Sequence, residues 1–356
     1  MELLYLLKNA VERHASDIFI IAGRPVAFGV NYDIENYNEV TLTPSDTREL
    51  IEGIYDLSYG RSVELLEHNW SDDFSFTIQD ISRFRVSAYI QRGSFAAVIR
   101  VISFEMPNPK LLGISDNIMN LADKKKGLVL VTGSAGSGKS TTLACIIDKI
   151  NREQKKHIIT LEDPLEYLHS HKQSIVSQRE IGSDASDYLS ALKSALRQRP
   201  DVILLGEMRD IETISITLTA AETGHMIFST LHTVGAANTI DRILDVFDST
   251  QRQQIAVQLS MILEAVVSQQ LIPTLDGKVV LATEVMTMTP AVRNLIRDNK
   301  VHQLDNVILS SQDQNMVSMD ASIFSLFQEG LISQETAINF SANPEMMKKK
   351  IVQMKI

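Results

Sequence analysis

The residues whose types and order most narrowly define a chemistry in this 356-residue chain run from Gly133 to Thr141, as Gly-Ser-Ala-Gly-Ser-Gly-Lys-Ser-Thr. They fit the phosphate-loop pattern G-x-x-x-x-G-K-[ST] without a mismatch. Gly133, Gly136 and Gly138 allow a tight backbone wrap, in which the N–H groups carried by these glycines and by Ser134, Ala135 and Ser137 converge on phosphate oxygens. Lys139 then meets the β- and γ-phosphates, and the Ser140 hydroxyl, followed by Thr141, is a ligand for Mg²⁺. The chemistry expected is the binding and hydrolysis of a triphosphate with Mg²⁺.

Carboxylates follow at two strand ends. His157 to Leu161 reads as a buried strand that ends in Glu162-Asp163-Pro164-Leu165-Glu166, and open α/β sheets place their chemistry at carboxyl ends of strands. A base or a water-orienting group is the role expected there, against the plainer reading of helix-start acids beside a proline. Asp201-Val-Ile-Leu-Leu-Gly-Glu207 has the form of a buried strand that delivers an acid, Glu207, to Mg²⁺. His225 and His232 bracket the apolar run Met226 to Leu231. Each competes with a purely structural reading, but a histidine at a strand end can donate to a γ-phosphate.

The elements that must position these groups are legible in outline. Gly127 to Thr132 is a short apolar β-rich run, and Thr142 to Ile150 is an apolar-periodic helix, which is the strand, loop and helix context a phosphate loop needs. Asp184 to Arg199 reads as an amphipathic helix stopped by Pro200. Asp210 caps a helix from Ile211 to Thr223, and Gly224 breaks it. Ser249 to Gln270, with Ile255, Leu259, Ile262 and Val266 on one face, reads as one long core helix, with further helices beyond.

Residues 1–105 read as a mixed α/β domain. Leu3, Leu4 and Leu7 recur at helical spacing, Asp17 to Ile21 and Val26 to Val30 are strands, and a helix opens at Thr43-Pro44-Ser45-Asp46. In the strand Arg83 to Ile90, Phe84, Val86, Ala88 and Ile90 share one face, whereas Arg83 and Arg85 share the other. In Ser94 to Val101 the same alternation sets Arg100 against Phe95, Ala97, Ile99 and Val101. These arginines are either a solvated sheet face or fingers for a neighbour's phosphates. Met106-Pro-Asn-Pro109 opens a linker at 106–114, leaving 115–356 as the second domain.

Composition narrows the classes. Lys+Arg 34 against Asp+Glu 44 leaves a net charge of −10, so nucleic acid is not the expected partner. The one cysteine, Cys145, permits no intrachain disulfide, fits a reducing compartment and reads as a small core residue. No run of 18 apolar residues occurs, and the N-terminal stretch carries an early acid and no cleavage-like site. Neither a spanning helix nor a signal peptide is expected.

Taken together, the phosphate loop, Thr160-Leu-Glu-Asp-Pro-Leu-Glu166, Leu205-Gly-Glu-Met-Arg-Asp210 and Ala221-Glu-Thr-Gly-His-Met-Ile-Phe-Ser-Thr-Leu-His232 resemble the secretion ATPase superfamily of type II secretion and type IV pili. Ala291-Val-Arg-Asn-Leu-Ile-Arg-Asp298 is similar to a signature of its retraction branch, with Val292 and Asp298 as conservative departures. Ser268-Gln-Gln-Leu-Ile-Pro273 also resembles the accessory retraction paralogue.

The resemblance implies a PAS-like N-terminal domain joined to a RecA-like P-loop ATPase domain with C-terminal helices. It implies a cytoplasmic homohexameric ring that binds ATP and Mg²⁺ between subunits and works on an inner-membrane pilus platform protein, alongside a paralogous retraction ATPase. Membrane association would then run through partners only. On the resemblance, Glu166 is the catalytic carboxylate within an acidic box from Glu162 and Asp163 to Glu166, Glu207 is the Mg²⁺-strand acid, and His225 to His232 is a histidine box. Arg85 and Arg100 approach ATP, with Arg92 a looser match. Two other classes remain beside it. A nucleic-acid translocase on the same core is disfavoured by the acidic charge, and a degenerate, non-hydrolysing member is opposed by intact Lys139, Ser140, Glu166 and Glu207.

Overall fold

Alternation along strands builds one half of the molecule, and near-continuous apolar strands build the other. The structure is a computed structural model that describes all residues except 1–2, 31–32, 59, 80, 103–105, 312–314 and 355–356. Contacts divide the chain into two units, Met1–Glu105 with Leu165–Leu168, and Met106–Pro164 with His169–Ile356. The end of the first domain expected at 105 lies outside the described residues.

The first unit begins with α1 (Leu3–Glu12), which buries Leu6, Leu7 and Ala10, while Leu3 packs against the same core and Leu4 faces solvent. The buried stripe is therefore i, i+3, i+4, i+7 from Leu3 and excludes Leu4. The strands β1 (Asp17–Ile20), β2 (Ala27–Val30) and β3 (Asp33–Asn36) precede α2 (Pro44–Asp56) and α3 (Glu64–Asn69). After them come β4 (Ser71–Ile78), β5 (Ser82–Gln91) and β6 (Ser94–Ile102).

All six strands form one antiparallel sheet in the order β3-β2-β1-β6-β5-β4. At the start of α2, Thr43 Oγ1 accepts from the Asp46 N–H while the Asp46 carboxylate accepts from the Thr43 N–H, closing a capping box. Leu50, Ile51 and Ile54 of α2 share a core with Phe84, Val86, Ala88 and Ile99. That leaves the other sheet face to Arg83, Arg85 and Arg100. β3 and β4 are additions to the sequence reading, because four exposed residues in one and Ser-Asp-Asp-Phe-Ser-Phe-Thr-Ile in the other give little apolar signal.

The second unit opens with α4 (Asp116–Met119), β7 (Gly127–Thr132), α5 (Lys139–Glu153), β8 (His157–Glu162) and β9 (Ile175–Glu180). It continues with α6 (Tyr188–Ala195), β10 (Val202–Leu205), α7 (Ile211–Glu222), β11 (Met226–Leu231), α8 (Ala236–Asp245) and α9 (Ser249–Ile262). The hairpin β12 (Leu263–Pro273) and β13 (Val279–Thr287) follows, then α10 (Pro290–Arg297), α11 (Leu304–Ser310), α12 (Met319–Gln328), α13 (Gln334–Phe340) and α14 (Pro344–Met354). The sheet order is β13-β12-β7-β11-β10-β8-β9, with only β13 antiparallel to its neighbour. Every residue of β7, β10 and β11 is buried, the signature of a parallel sheet covered on both faces.

The long helix expected from Ser249 to Gln270 is corrected by this sheet. The helix ends at Ile262 and the chain passes directly into β12. Ala265, Val266 and Val267 are wholly buried, and β12 pairs with β7 on one side and β13 on the other, so tertiary pairing overrides the helical spacing of Val266. No glycine or proline marks the junction. Instead Arg293 Nη1 donates to the carbonyls of Ser260 and Met261, at 2.7 and 3.0 Å, which satisfies two of the last acceptors of α9. α6 is likewise shorter than the span Asp184 to Arg199, because Asp187 accepts from the Ser190 N–H at 2.7 Å and starts the helix there. Among the described residues, no helix is long and apolar enough to cross a membrane.

Candidate functional site

Strand register brings the chemistry to one edge. Leu161, Leu205, Ser229 and Leu130 lie in one row across β8, β10, β11 and β7, so the segments after these four strands all leave the carboxyl edge of the sheet. Glu162, Glu207, His232 and the loop from Gly133 belong to those segments. This is the edge on which parallel α/β sheets bind ligands.

The phosphate loop is held by close packing. Gly133 has φ 142°, and a Cβ there would come within 2.4 Å of the Gln269 carbonyl oxygen and 2.6 Å of Ser137 Oγ. No side chain fits that approach. Gly138 takes φ 84° and offers no side-chain cap, so α5, fifteen residues long, begins with first-turn N–H groups aimed along its positive end. Lys139 is 8 % exposed, and its Nζ donates to the carbonyls of Gly133 and Ser134 at 3.0 and 2.9 Å. Ser137 Oγ is buried with no hydrogen-bond partner. Ser134, Ala135 and Gly136 are exposed, and Ser140 and Thr141 are half-buried. A glycine cradle, a pinned lysine and an orphaned buried hydroxyl are what a polyphosphate fits.

Where β10 and β11 end lies a cavity of about 500 Å³, lined by residues that include Glu207, Arg209, Thr230, His232 and Arg242. Glu207 forms an ion pair with Arg209, and its carboxylate lies 3.4 Å from His232 Nε2. The Glu207 hydrogen bond raises the already high pKa of Arg209, so this guanidinium stays charged. Tyr188 on α6 is buried near Glu207 and Asp163, and burial first, then these carboxylates, raise its pKa and keep its hydroxyl protonated. A carboxylate with a guanidinium on one side, an imidazole on the other and a neutral phenol nearby can hold a metal ion or position water.

The other expected residues are less gathered. Glu162 is half-buried at the end of β8, and Asp163 is exposed beyond it. Glu166 is exposed on Leu165–Leu168, the segment that groups with the first unit. His225 precedes β11 and its carbonyl accepts from the Gly127 N–H at 3.0 Å, so it stands at the amino edge, with the six residues of β11 between it and His232. Its ring Nδ1 lies 3.0 Å from the Ala220 carbonyl, at the end of α7. His225 therefore sits at the end of α7, at the strand edge opposite His232. Arg85 and Arg100 face each other directly across β5 and β6, and Arg100 pairs with Asp17 at 3.4 Å.

Arg209, Tyr188, Arg242 and Gln269 were not singled out in the sequence. Arg209 stood in plain view two residues after Glu207, but Gln269 was hidden inside the span read as helix. Its neighbours Ser268 and Gln270 are also polar, so no local pattern marks Gln269 as the buried one.

The family model described as "Type II/IV secretion system protein" matches residues 3–299. The chain is 41% identical over 345 residues to "Type IV pilus retractation ATPase PilT" of Pseudomonas aeruginosa, covering 97% of this chain and 99% of that one. It is 39% identical over 339 residues to "Type IV pilus ATPase PilU" of the same organism, covering 95% and 88%. Its fold is similar to "Crystal Structure of the Pilus Retraction Motor PilT and Bound ADP", with TM-score 0.88, 43% identity and coverage of 98% and 99%.

Proposed function

The chain belongs to the type II/IV secretion system protein family, and from that premise we propose that it is an ATPase motor that retracts type IV pili by hydrolysing ATP with Mg²⁺. One observation carries this reading: a complete phosphate loop shares a strand edge with Glu207 and His232, in a chain alike over nearly its full length to a retraction ATPase.

The roles follow from the chemistry of the side chains. The loop from Gly133 to Thr141 binds the phosphates, and Lys139 neutralises their charge. Ser140 and Glu207 are the residues that would hold Mg²⁺, an ion that offsets charge developing on the γ-phosphoryl oxygens. His232 donates a hydrogen bond toward the γ-phosphate, Glu162 and Asp163 border the nucleotide, and Glu166 orients the attacking water. The working assembly is a homohexameric ring in which Arg85 and Arg100 of one subunit serve the nucleotide of the next. The ring works in the cytoplasm on an inner-membrane pilus platform protein, and nucleotide binding energy drives closure.

A second reading, an accessory retraction ATPase, is favoured by the 39% identity to PilU and by Ser268 to Pro273. The test is a deletion strain scored for twitching and for surface pili, complemented by this chain alone. Restored twitching supports the primary motor. Restoration only beside a second retraction ATPase supports the accessory one, and absence of pili in the deletion strain would overturn both.

A further inference from the structure

Gln269 is a fully buried polar residue in an apolar strand. It shows 0% exposure, and its Nε2 donates to Thr142 Oγ1, itself buried, at 2.7 Å. Its Oε1 is buried with no partner. A leucine would occupy similar space without burying an unpaired carbonyl, so packing gives no reason for an amide here.

Its surroundings supply one. Ser268 pairs in register with Thr132, so Gln269 stands beside Gly133 at the point where the phosphate loop leaves β7. Its carbonyl oxygen is the atom that a Cβ at Gly133 would strike at 2.4 Å. Thr142 lies on the other side of the loop, in the first turn of α5, two residues after Ser140. One residue of β12 thus touches the phosphate loop where it begins, through its backbone, and the helix turn where it ends, through its carboxamide.

β12 is itself anchored outside the loop. Glu264 near its start pairs with Lys124 at 2.7 Å and with Arg293 of α10 at 3.2 Å. Ser268 Oγ accepts from the Gly235 N–H at 2.9 Å, next to the start of α8 and three residues from His232.

We infer that Gln269 is a positioning residue for the phosphate loop: its bond to Thr142 fixes the first turn of α5, and with it Ser140, relative to the strand edge that carries the rest of the site. The inference rests on the ATPase reading above. It acts through geometry, because the carboxamide neither ionises nor is exposed to nucleotide.

The test compares Gln269→Leu, Thr142→Val and their double variant with wild type in steady-state ATP hydrolysis, with MgADP affinity and Tm measured alongside. Wild-type turnover establishes the ATPase reading independently, and its absence would sink that reading rather than this one. Gln269→Leu and Thr142→Val should each lower kcat/KM about tenfold, and the double variant should be no worse than either alone, because both delete one bond. Thr142→Ser, which keeps the hydroxyl, should stay within about twofold of wild type if that oxygen is what matters. Multiplicative losses in the double variant, or kinetic losses that only follow Tm, would overturn the proposal. If Gln269→Leu fails to fold, the contrast between Thr142→Val and Thr142→Ser still decides it: equal activity overturns the inference, and a tenfold gap supports it.

Discussion

The two sheets of this protein handle charge in opposite ways. The antiparallel sheet of the first unit packs one face on α2 and carries Arg83, Arg85 and Arg100 on the other, so its charged groups sit in mid-strand. The inner strands β7, β10 and β11 of the second unit are buried throughout, and the charged groups Glu207 and His232 come just after β10 and β11 end, whereas charges within strands are left to outer strands, as with Arg179 of β9 and Glu284 of β13. A strand buried on both sides has no position for an unpaired charge, so chemistry moves to the loops at its carboxyl edge. The difference predicts what each kind of residue does when removed: edge residues of the covered sheet alter catalysis, whereas mid-strand arginines alter only what they reach outside their own sheet.

The largest effect is expected at Lys139. Lys139→Ala should leave no measurable ATP turnover, because the phosphates lose the cation the loop supplies, while the fold survives the loss of two hydrogen bonds to loop carbonyls. Turnover near wild type in a coupled-enzyme assay would break the comparison at its strongest point. Glu207→Gln and Glu166→Gln should each cost on the order of 10³-fold in kcat by different routes. The first should raise the Mg²⁺ concentration needed for half-maximal rate, and the second should leave nucleotide affinity unchanged. A Mg²⁺ titration separates them, and unaltered kinetics in either variant removes that residue from the site.

Arg85→Ala with Arg100→Ala sharpens the contrast. As residues of the sheet face turned away from the core, Arg85 half-buried and Arg100 exposed, they should shift stability by only about ±0.5 kcal/mol. As a neighbour's arginine fingers they should lower ring turnover about 10²-fold. If the proposed ring forms, assemblies mixed from this double variant and Lys139→Ala should regain activity, since some interfaces then pair an intact loop with intact arginines. Normal turnover in the double variant, with no recovery on mixing, would make these arginines a solvated face.

A smaller effect tests how dry the second unit is. Burial, opposed by the charge of Asp148 and aided by that of Lys172, lowers the pKa of His169 to about 4 from 6.5. The unfolded chain therefore takes up this proton first, and the stability conferred by the neutral ring is complete above pH 6.5 and lost as pH falls toward 4. Replacing it with asparagine should flatten the pH dependence of Tm in that window, by an amount equivalent to ~3 kcal/mol. Parallel Tm profiles for His169→Asn and wild type would show that the ring is hydrated.

Features that depend on local order can be read along the chain. The phosphate loop, the strands β7, β8, β10 and β11, and the caps Thr43 and Asp210 are all legible because glycine spacing, apolar runs and capping side chains act within a few residues. The carboxylates at strand ends were found for the same reason. Tertiary structure alone decided that Leu263 to Pro273 is a strand, because its partners β7 and β13 supply the hydrogen bonds and no local breaker separates it from α9. It also decided that His232 and His225 part company. Both flank one apolar run at matching distance, but a parallel strand has two ends, and only its carboxyl end meets the phosphate loop. Gln269 belongs to the same class: its neighbour Thr142 is 127 residues away in sequence, and no pattern along the chain records a contact made only when β12 lies beside β7.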